Sequence, residues 1–232
     1  MIKKFIKKIV SPIYRLELNE KKNIKDFLKT VLSDKKNQKW LDVGCGSKPF
    51  LKEFKNHSYV GIDIKRNGYG QAPKLADKFY NGVNIPYEDD IFDGVLCTQV
   101  LGVADEPEIL ISEIDRVLKK DSYFILSTPF MYKEVERPYD YRRYTSYGIE
   151  KILKDKNFEI INNIKCLSGL QTIAMILSVY LNNNCKYRST KLFLLLLVMI
   201  PIQLLFSILE IFIPDNRDVF YASIVMARRV NS

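Results

Sequence analysis

Two carboxylates and a pair of glycines are the residues best suited to chemistry in this chain of 232 residues. Asp42 follows Trp40-Leu41 and precedes Val43-Gly44-Cys45-Gly46, and Asp63 ends the run Ser58-Tyr59-Val60-Gly61-Ile62. Each acid sits at the end of an apolar, β-rich stretch, so each is delivered to the carboxyl end of a strand, where open α/β sheets take their ligands. Gly44 and Gly46 have no Cβ, which lets the backbone turn sharply and lets a ligand lie against it. Asp63 lies about 20 residues past the turn, the spacing at which nucleotide-binding folds set a carboxylate on ribose hydroxyls. The dinucleotide fingerprint G-x-G-x-x-G is not met, because its third glycine position is Pro49. Further along, Asn81-Gly82 offers an amide within a dipeptide common in turns, and Gln99 follows another strand-like run. The stretch Glu136-Arg137-Pro138-Tyr139-Asp140-Tyr141-Arg142-Arg143-Tyr144-Thr145 concentrates aromatic and ionisable side chains in a loop. Asp140 is its best carboxylate for taking a proton from an acceptor hydroxyl. A packed loop with Asp140 paired to Arg142 or Arg143 is the competing reading.

Bringing these residues together requires a parallel sheet. Residues 40–43, 58–63, 92–97, 123–127, 158–164 and 219–228 read as strands, and 23–32, 49–55, 107–119 and 146–154 as helices. Residues 65–73 read as a loop. This order of features is similar to that of the class I methyltransferases that use S-adenosylmethionine, over roughly residues 39–165. Leu41-Asp42-Val43-Gly44-Cys45-Gly46 resembles their first motif, and Arg116-Val117-Leu118-Lys119 before the fifth strand resembles them as well. The resemblance implies an enzyme with an α/β, Rossmann-like, seven-stranded sheet and helices on both faces. It implies S-adenosylmethionine as cofactor, S-adenosylhomocysteine as product, and no metal. It also implies that Gly44, Cys45 and Gly46 meet the amino-acid end of the cofactor. Asp42 either orients that turn or meets the ammonium. Asp63 and Ile64 fall at the ribose, Asn81 and Gly82 at the adenine, and Gln99 near the methyl. Residues 138–145 resemble the Pro-Tyr-Asp-Tyr-x-Arg-Tyr-Thr segment of a type 11-like subgroup found among bacterial glycan-modifying enzymes. That implies an acceptor site of Tyr139, Asp140, Arg143 and Tyr144, with Asp140 as catalytic base. Three positions depart from the pattern. Gly102-Val103 follows Leu101 where Glu-His is usual, and Val135 stands where the subgroup has a His.

Length and an ordinary apolar content fit one large domain with a full core. Cys45, Cys97, Cys166 and Cys185 show no pairing pattern, which points to a reducing compartment. With His57 the only histidine, no zinc-ligand spacing exists. The net charge is +9, of which residues 1–36 carry +7. An RNA-binding surface would not need its charge so localised. Cys97-Thr98-Gln99-Val100 also lacks the Asn/Asp-Pro-Pro-aromatic arrangement of enzymes that methylate the amino groups of bases. A nucleic-acid partner is therefore not expected.

Ile2, Phe5, Ile6, Ile9 and Val10 recur on one helical face and Lys3, Lys4, Lys7 and Lys8 on the other. Such a helix suits an anionic membrane surface, or docks on the domain with its lysines solvated. Pro12 is expected to end it. Residues 192–213 form an apolar run with one charge, Glu210, and a proline, Pro201, inside it. At about 1.5 Å per residue that run approaches a bilayer core. Because strands on either side belong to one sheet, a single complete crossing is excluded. The expected domains are basic helices at 1–36, a methyltransferase domain at 37–166 and 218–232, and an apolar helical insertion at 167–217. The insertion is either membrane-embedded and monotopic, on the inner face of the cytoplasmic membrane, or a homodimer interface. The expected acceptor is a sugar of a lipid-linked bacterial surface glycan, methylated on oxygen. An isoprenoid quinone or another lipid is a second candidate. A non-catalytic membrane-bound scaffold is the third reading, separated from the enzymes by cofactor binding.

Overall fold

The computed structural model describes residues 12–33, 36–66, 74–185, 187, 193–215 and 217–230. The amphipathic helix expected at residues 1–10 and most of the 65–73 loop lie outside them. The elements are α1 (Pro12–Leu32), β1 (Lys39–Val43), a 3-10 turn (Leu51–Phe54), β2 (Ser58–Ile64), β3 (Lys78–Tyr80), β4 (Phe92–Thr98), α2 (Pro107–Val117), β5 (Leu118–Pro129), α3 (Ser146–Lys154), β6 (Phe158–Ser168), α4 (Leu170–Asn184), a π-helical turn (Leu195–Met199), α5 (Ile200–Phe212) and β7 (Phe220–Arg229). The seven strands make one sheet in the order β3-β2-β1-β4-β5-β7-β6, with β7 antiparallel, which is the expected Rossmann-like architecture. Pairing of β1 with β2 and β4, of β2 with β3, and of β4 with β5 is parallel. The order reverses between β1 and β4, and such switch points open a crevice at the carboxyl ends of the strands.

Local chemistry explains the register at the centre. Trp40 pairs with Gly94 across β1 and β4, and a Cβ at Gly94 would lie 2.4 Å from the Trp40 ring. Trp40 Nε1 donates to Gln38, whose amide donates to the Val31 carbonyl at the end of α1. Ile24, Phe27, Leu28 and Val31 form the buried stripe of α1 at helical spacing. The described part of that helix begins at Pro12, and the expectation that Pro12 ends a preceding helix falls on residues outside those described. The helix expected at 49–55 is only a 3-10 turn, anchored by buried Phe50 and Phe54. At the far end of the sheet Arg229 donates to Asp115 on α2 and is also paired with Asp90, which fastens the close of β7.

The chain divides into two compact units. One comprises Asn23–Phe130, Glu134–Ile164 and Ser223–Ser232, and holds the switch point. The other comprises Met1–Lys22, Met131–Lys133 and Lys165–Ala222. In the second, Glu210 of α5 accepts from the Gln171 N–H at 3.2 Å, so the one acid of the apolar run satisfies a donor in the first turn of α4. Pro201 falls in the first turn of α5, directly after the π-helical turn. Within the apolar run, residues 195–212 are thus a π turn followed by a short helix. No helix among the described residues is long and apolar enough to cross a membrane.

Candidate active site

β1 ends at Val43 and the chain turns at Gly44, whose φ is 71° and whose N–H donates to the Ile62 carbonyl of β2 at 2.9 Å. A Cβ at Gly44 would come within 2.2 Å of Val100, so both φ and space demand glycine here. Gly46 also has positive φ, and a Cβ there would meet nothing within 4 Å. The turn therefore borders open space. Its Gly46 N–H donates to Asp63 Oδ2 at 2.9 Å, which ties the turn to the acid that ends β2. Asp63 Oδ1 accepts the Ile64 N–H and pairs with Lys74 Nζ, each at 2.7 Å.

A cavity opens at these strand ends. Of the expected cofactor residues, Gly44, Gly46, Asp63, Ile64, Gly82 and Gln99 line it. Gln99, at φ 60°, is held by its N–H on the Ser127 carbonyl. The wall also holds Glu136 of the aromatic loop and residues the sequence did not single out, chiefly Ser47, Arg66, Lys74, Tyr80 and Asp105. A general rule would have found Tyr80, because β3 delivers it to the same edge as Asp63. Lys74 carried no signal.

Asp42, Cys45 and Asn81 are not part of that wall. Asp42 is buried beneath the turn and accepts from the Tyr59 hydroxyl, and among the described residues its Oδ1 has no partner. Desolvation pushes its carboxyl up to about 7, the Tyr59 hydrogen bond working against the shift. Its hydrogen bond thus joins β1 to β2 through Tyr59. Burial and the neighbouring carboxylates push the Cys45 thiol up to about 12, so it is a small packing group and no nucleophile. Asn81 Oδ1 accepts from the N–H groups of Val83 and Asn84, so the side chain builds the turn that presents Gly82.

The aromatic loop is packed and its carboxylate is ion-paired, one of the two arrangements expected of it. Asp140 has a side chain 4% exposed, forms a two-pronged pair with Arg143, and accepts the Val135 N–H at 2.8 Å. Burial opposes its charge, but Arg143 and the Val135 N–H outweigh it and hold the carboxyl below the usual range. Asp140 and Arg143 are thus committed to each other away from the cavity wall, and a carboxylate so held is a poor base. Tyr144 packs partly against the core, and Tyr139 lies under the guanidinium of Arg66, 3.9 Å from its ring centroid. Arg66 in turn grips Asp105 and donates to the Val103 carbonyl. The Tyr141 and Arg142 N–H groups both donate to the Gly102 carbonyl, and the Arg142 side chain donates to that of Ala104. A Cβ at Gly102 would sit 2.9 Å from the Arg142 carbonyl oxygen. The side chain missing at 102 is what lets the loop dock. Among the described residues no cluster of three or more His, Cys, Asp or Glu has the form of a metal site.

The model of a family described as a methyltransferase domain matches residues 15–162. An uncharacterised protein of Methanocaldococcus jannaschii is 29% identical over 135 residues, covering 54% of this chain and 61% of its own length. A "probable methyltransferase" of Aspergillus luteorubrus is 33% identical over 107 residues, covering 37% of this chain and 38% of its own. The chain thus spans less than two thirds of either curated relative. A SAM-dependent methyltransferase structure from Methanosarcina mazei superposes with a TM-score of 0.52 at 16% identity, over 89% of this chain and 98% of that one. At that identity the likeness is one of fold alone.

Proposed function

Because this chain belongs to the class I S-adenosylmethionine-dependent methyltransferases, we propose that it transfers a methyl group to a hydroxyl of a membrane-proximal acceptor, a sugar of a lipid-linked bacterial glycan. The observation that carries the activity is the junction of β1 and β2, where open space at Gly46 adjoins the buried carboxylate of Asp63. The residues present fit the cofactor. Gly44, Gly46 and Ser47 would take its amino-acid end, Asp63 its ribose hydroxyls, Tyr80 and Gly82 its base, and Gln99 would border the reacting end.

When bound, S-adenosylmethionine supplies an electrophilic methyl group on a sulfonium. The chain's own work is alignment and exclusion of water. Residues 102–105 and the docked aromatic loop form one rim of the cavity, through Asp105 and Glu136. In this reading Asp140 and Arg143 position that rim, and the proton leaves the acceptor through another group.

The membrane-proximal acceptor is supported by α4 and α5, which carry exposed Ile173, Ile176, Leu204, Ile208, Ile211 and Phe212. Those side chains favour an isoprenoid quinone or other lipid equally. Mass spectra of host glycolipids and quinones with and without the protein test both. A one-methyl shift in glycolipid is expected. A shift confined to quinone selects the second reading, and no shift in either removes the membrane acceptor.

A further inference from the structure

Asp63 is more heavily engaged than a ribose-binding carboxylate needs to be. A carboxylate has about four lone-pair sites. On Oδ1, two are taken by the Ile64 N–H and by Lys74 Nζ, and on Oδ2 one is taken by the Gly46 N–H. A vicinal diol brings two O–H donors and finds one place. The two N–H donors belong to the backbone of β2 and of the glycine turn and cannot leave without unmaking them. Lys74 is the only side chain of the three.

The lysine is built in. Its side chain is 9% exposed and that of Asp63 7%. Its ammonium also donates to the carbonyls of Ile64 at 2.9 Å and Arg66 at 2.7 Å. An ammonium that gives up the carboxylate therefore keeps two acceptors, which lessens the cost of leaving a buried charge without its counter-ion. Both Lys74 and Asp63 line the cavity.

We infer that Lys74 is an internal competitor for the nucleoside diol at Asp63, displaced from the carboxylate when a ribose-bearing ligand binds. This rests on the reading that Asp63 takes the ribose hydroxyls. Lys74 thereby sets the affinity of the pocket without touching the reacting atoms, and it favours a ligand whose diol is intact over a deoxyribose analogue, which displaces it less well.

Calorimetric titration of S-adenosylhomocysteine into the full chain tests this, using wild type, Lys74→Gln, Asp63→Asn and the double variant. Glutamine keeps an N–H donor for the Ile64 carbonyl and removes the charge. Lys74→Gln should bind about tenfold more tightly than wild type, and the gain should vanish in the Asp63→Asn background. Equal or weaker binding by a Lys74→Gln protein with unchanged circular dichroism overturns the inference. If Asp63→Asn leaves wild-type affinity unaltered, the ribose reading fails instead, and a wild-type chain that binds nothing removes both. A second measurement needs no variant. Acylation of Lys74 in the wild-type chain by an amine reagent, read by mass spectrometry against the more exposed Lys25, should be slow and should rise severalfold on saturation with S-adenosylhomocysteine. A fall on saturation would make Lys74 a ligand contact and overturn its displacement.

Discussion

Asp42 carries a carboxyl that burial keeps protonated until about pH 7. Below about pH 4 it is protonated in the folded and unfolded chain alike. Between there and about pH 7 the unfolded chain gives up a proton that the folded chain retains, so stability falls as pH rises and the full penalty applies above about 7. Asp42→Asn removes the ionisation and keeps an acceptor for Tyr59. Its stability advantage over wild type, measured by urea unfolding of the ligand-free chain, should be near zero at pH 4 and grow to about 2–4 kcal/mol at pH 8. A difference independent of pH would show that Asp42 is ionised throughout. Sequence reasoning reached the glycines and Asp63 because backbone demands and strand ends leave clear marks. Lys74 left none, since its role depends on where three carbonyl and carboxylate oxygens meet. Asp140 was read either as a base or as a paired loop carboxylate, and it stands paired with Arg143 at i+3.

At the scale of elements, the aromatic loop and residues 102–105 behave as one piece. Two loop N–H groups converge on the Gly102 carbonyl, and Arg66 and Arg142 lace the flanks. Gly102→Ala puts a Cβ against the Arg142 carbonyl, and overpacking of this kind costs about 1–3 kcal/mol. The variant should melt lower and show a raised KM for the acceptor while its cofactor affinity stays within about twofold. Equal loss for both ligands would detach the loop from acceptor binding. Strand and helix interiors were legible from periodicity, and α3 was read to its ends. Boundaries failed where local signals conflict. Leu118-Lys119 looked like the basic end of a helix but opens β5, because Leu118 is paired with Phe92 of β4.

For the molecule as a whole, the unit containing α4 and α5 leaves a large apolar surface uncovered. On α5, Leu204, Ile208, Ile211 and Phe212 recur at helical spacing, with Ile211 and Phe212 76–77% exposed. The sequence places +7 of charge before residue 37. The two contributions respond differently to salt. Cationic side chains near an anionic leaflet contribute about 1 kcal/mol each and weaken with salt, whereas buried apolar area contributes about 25 cal/mol per Å² and does not. Deleting residues 1–10 should weaken binding to anionic vesicles mainly at low salt. Changing those four α5 residues to Ser should release the chain at every salt concentration, as read by vesicle flotation. A wild-type chain that does not float with vesicles at all would leave this surface to a protein partner. The apolar run was visible in the sequence, but not its division at the π-helical turn, because a run of Leu and Ile is silent about hydrogen-bond register.

The claim on which everything else depends is that the cavity at the glycine turn binds S-adenosylmethionine through Asp63. The direct measurement is calorimetric titration of S-adenosylmethionine into the wild-type chain and into Asp63→Ala. Hydrogen bonds to a charged group contribute about 1.5–3 kcal/mol each, so a saturable wild-type isotherm should weaken at least about tenfold in a variant with unchanged circular dichroism. No heat of binding in the wild type, or the same affinity in both proteins, would contradict the account.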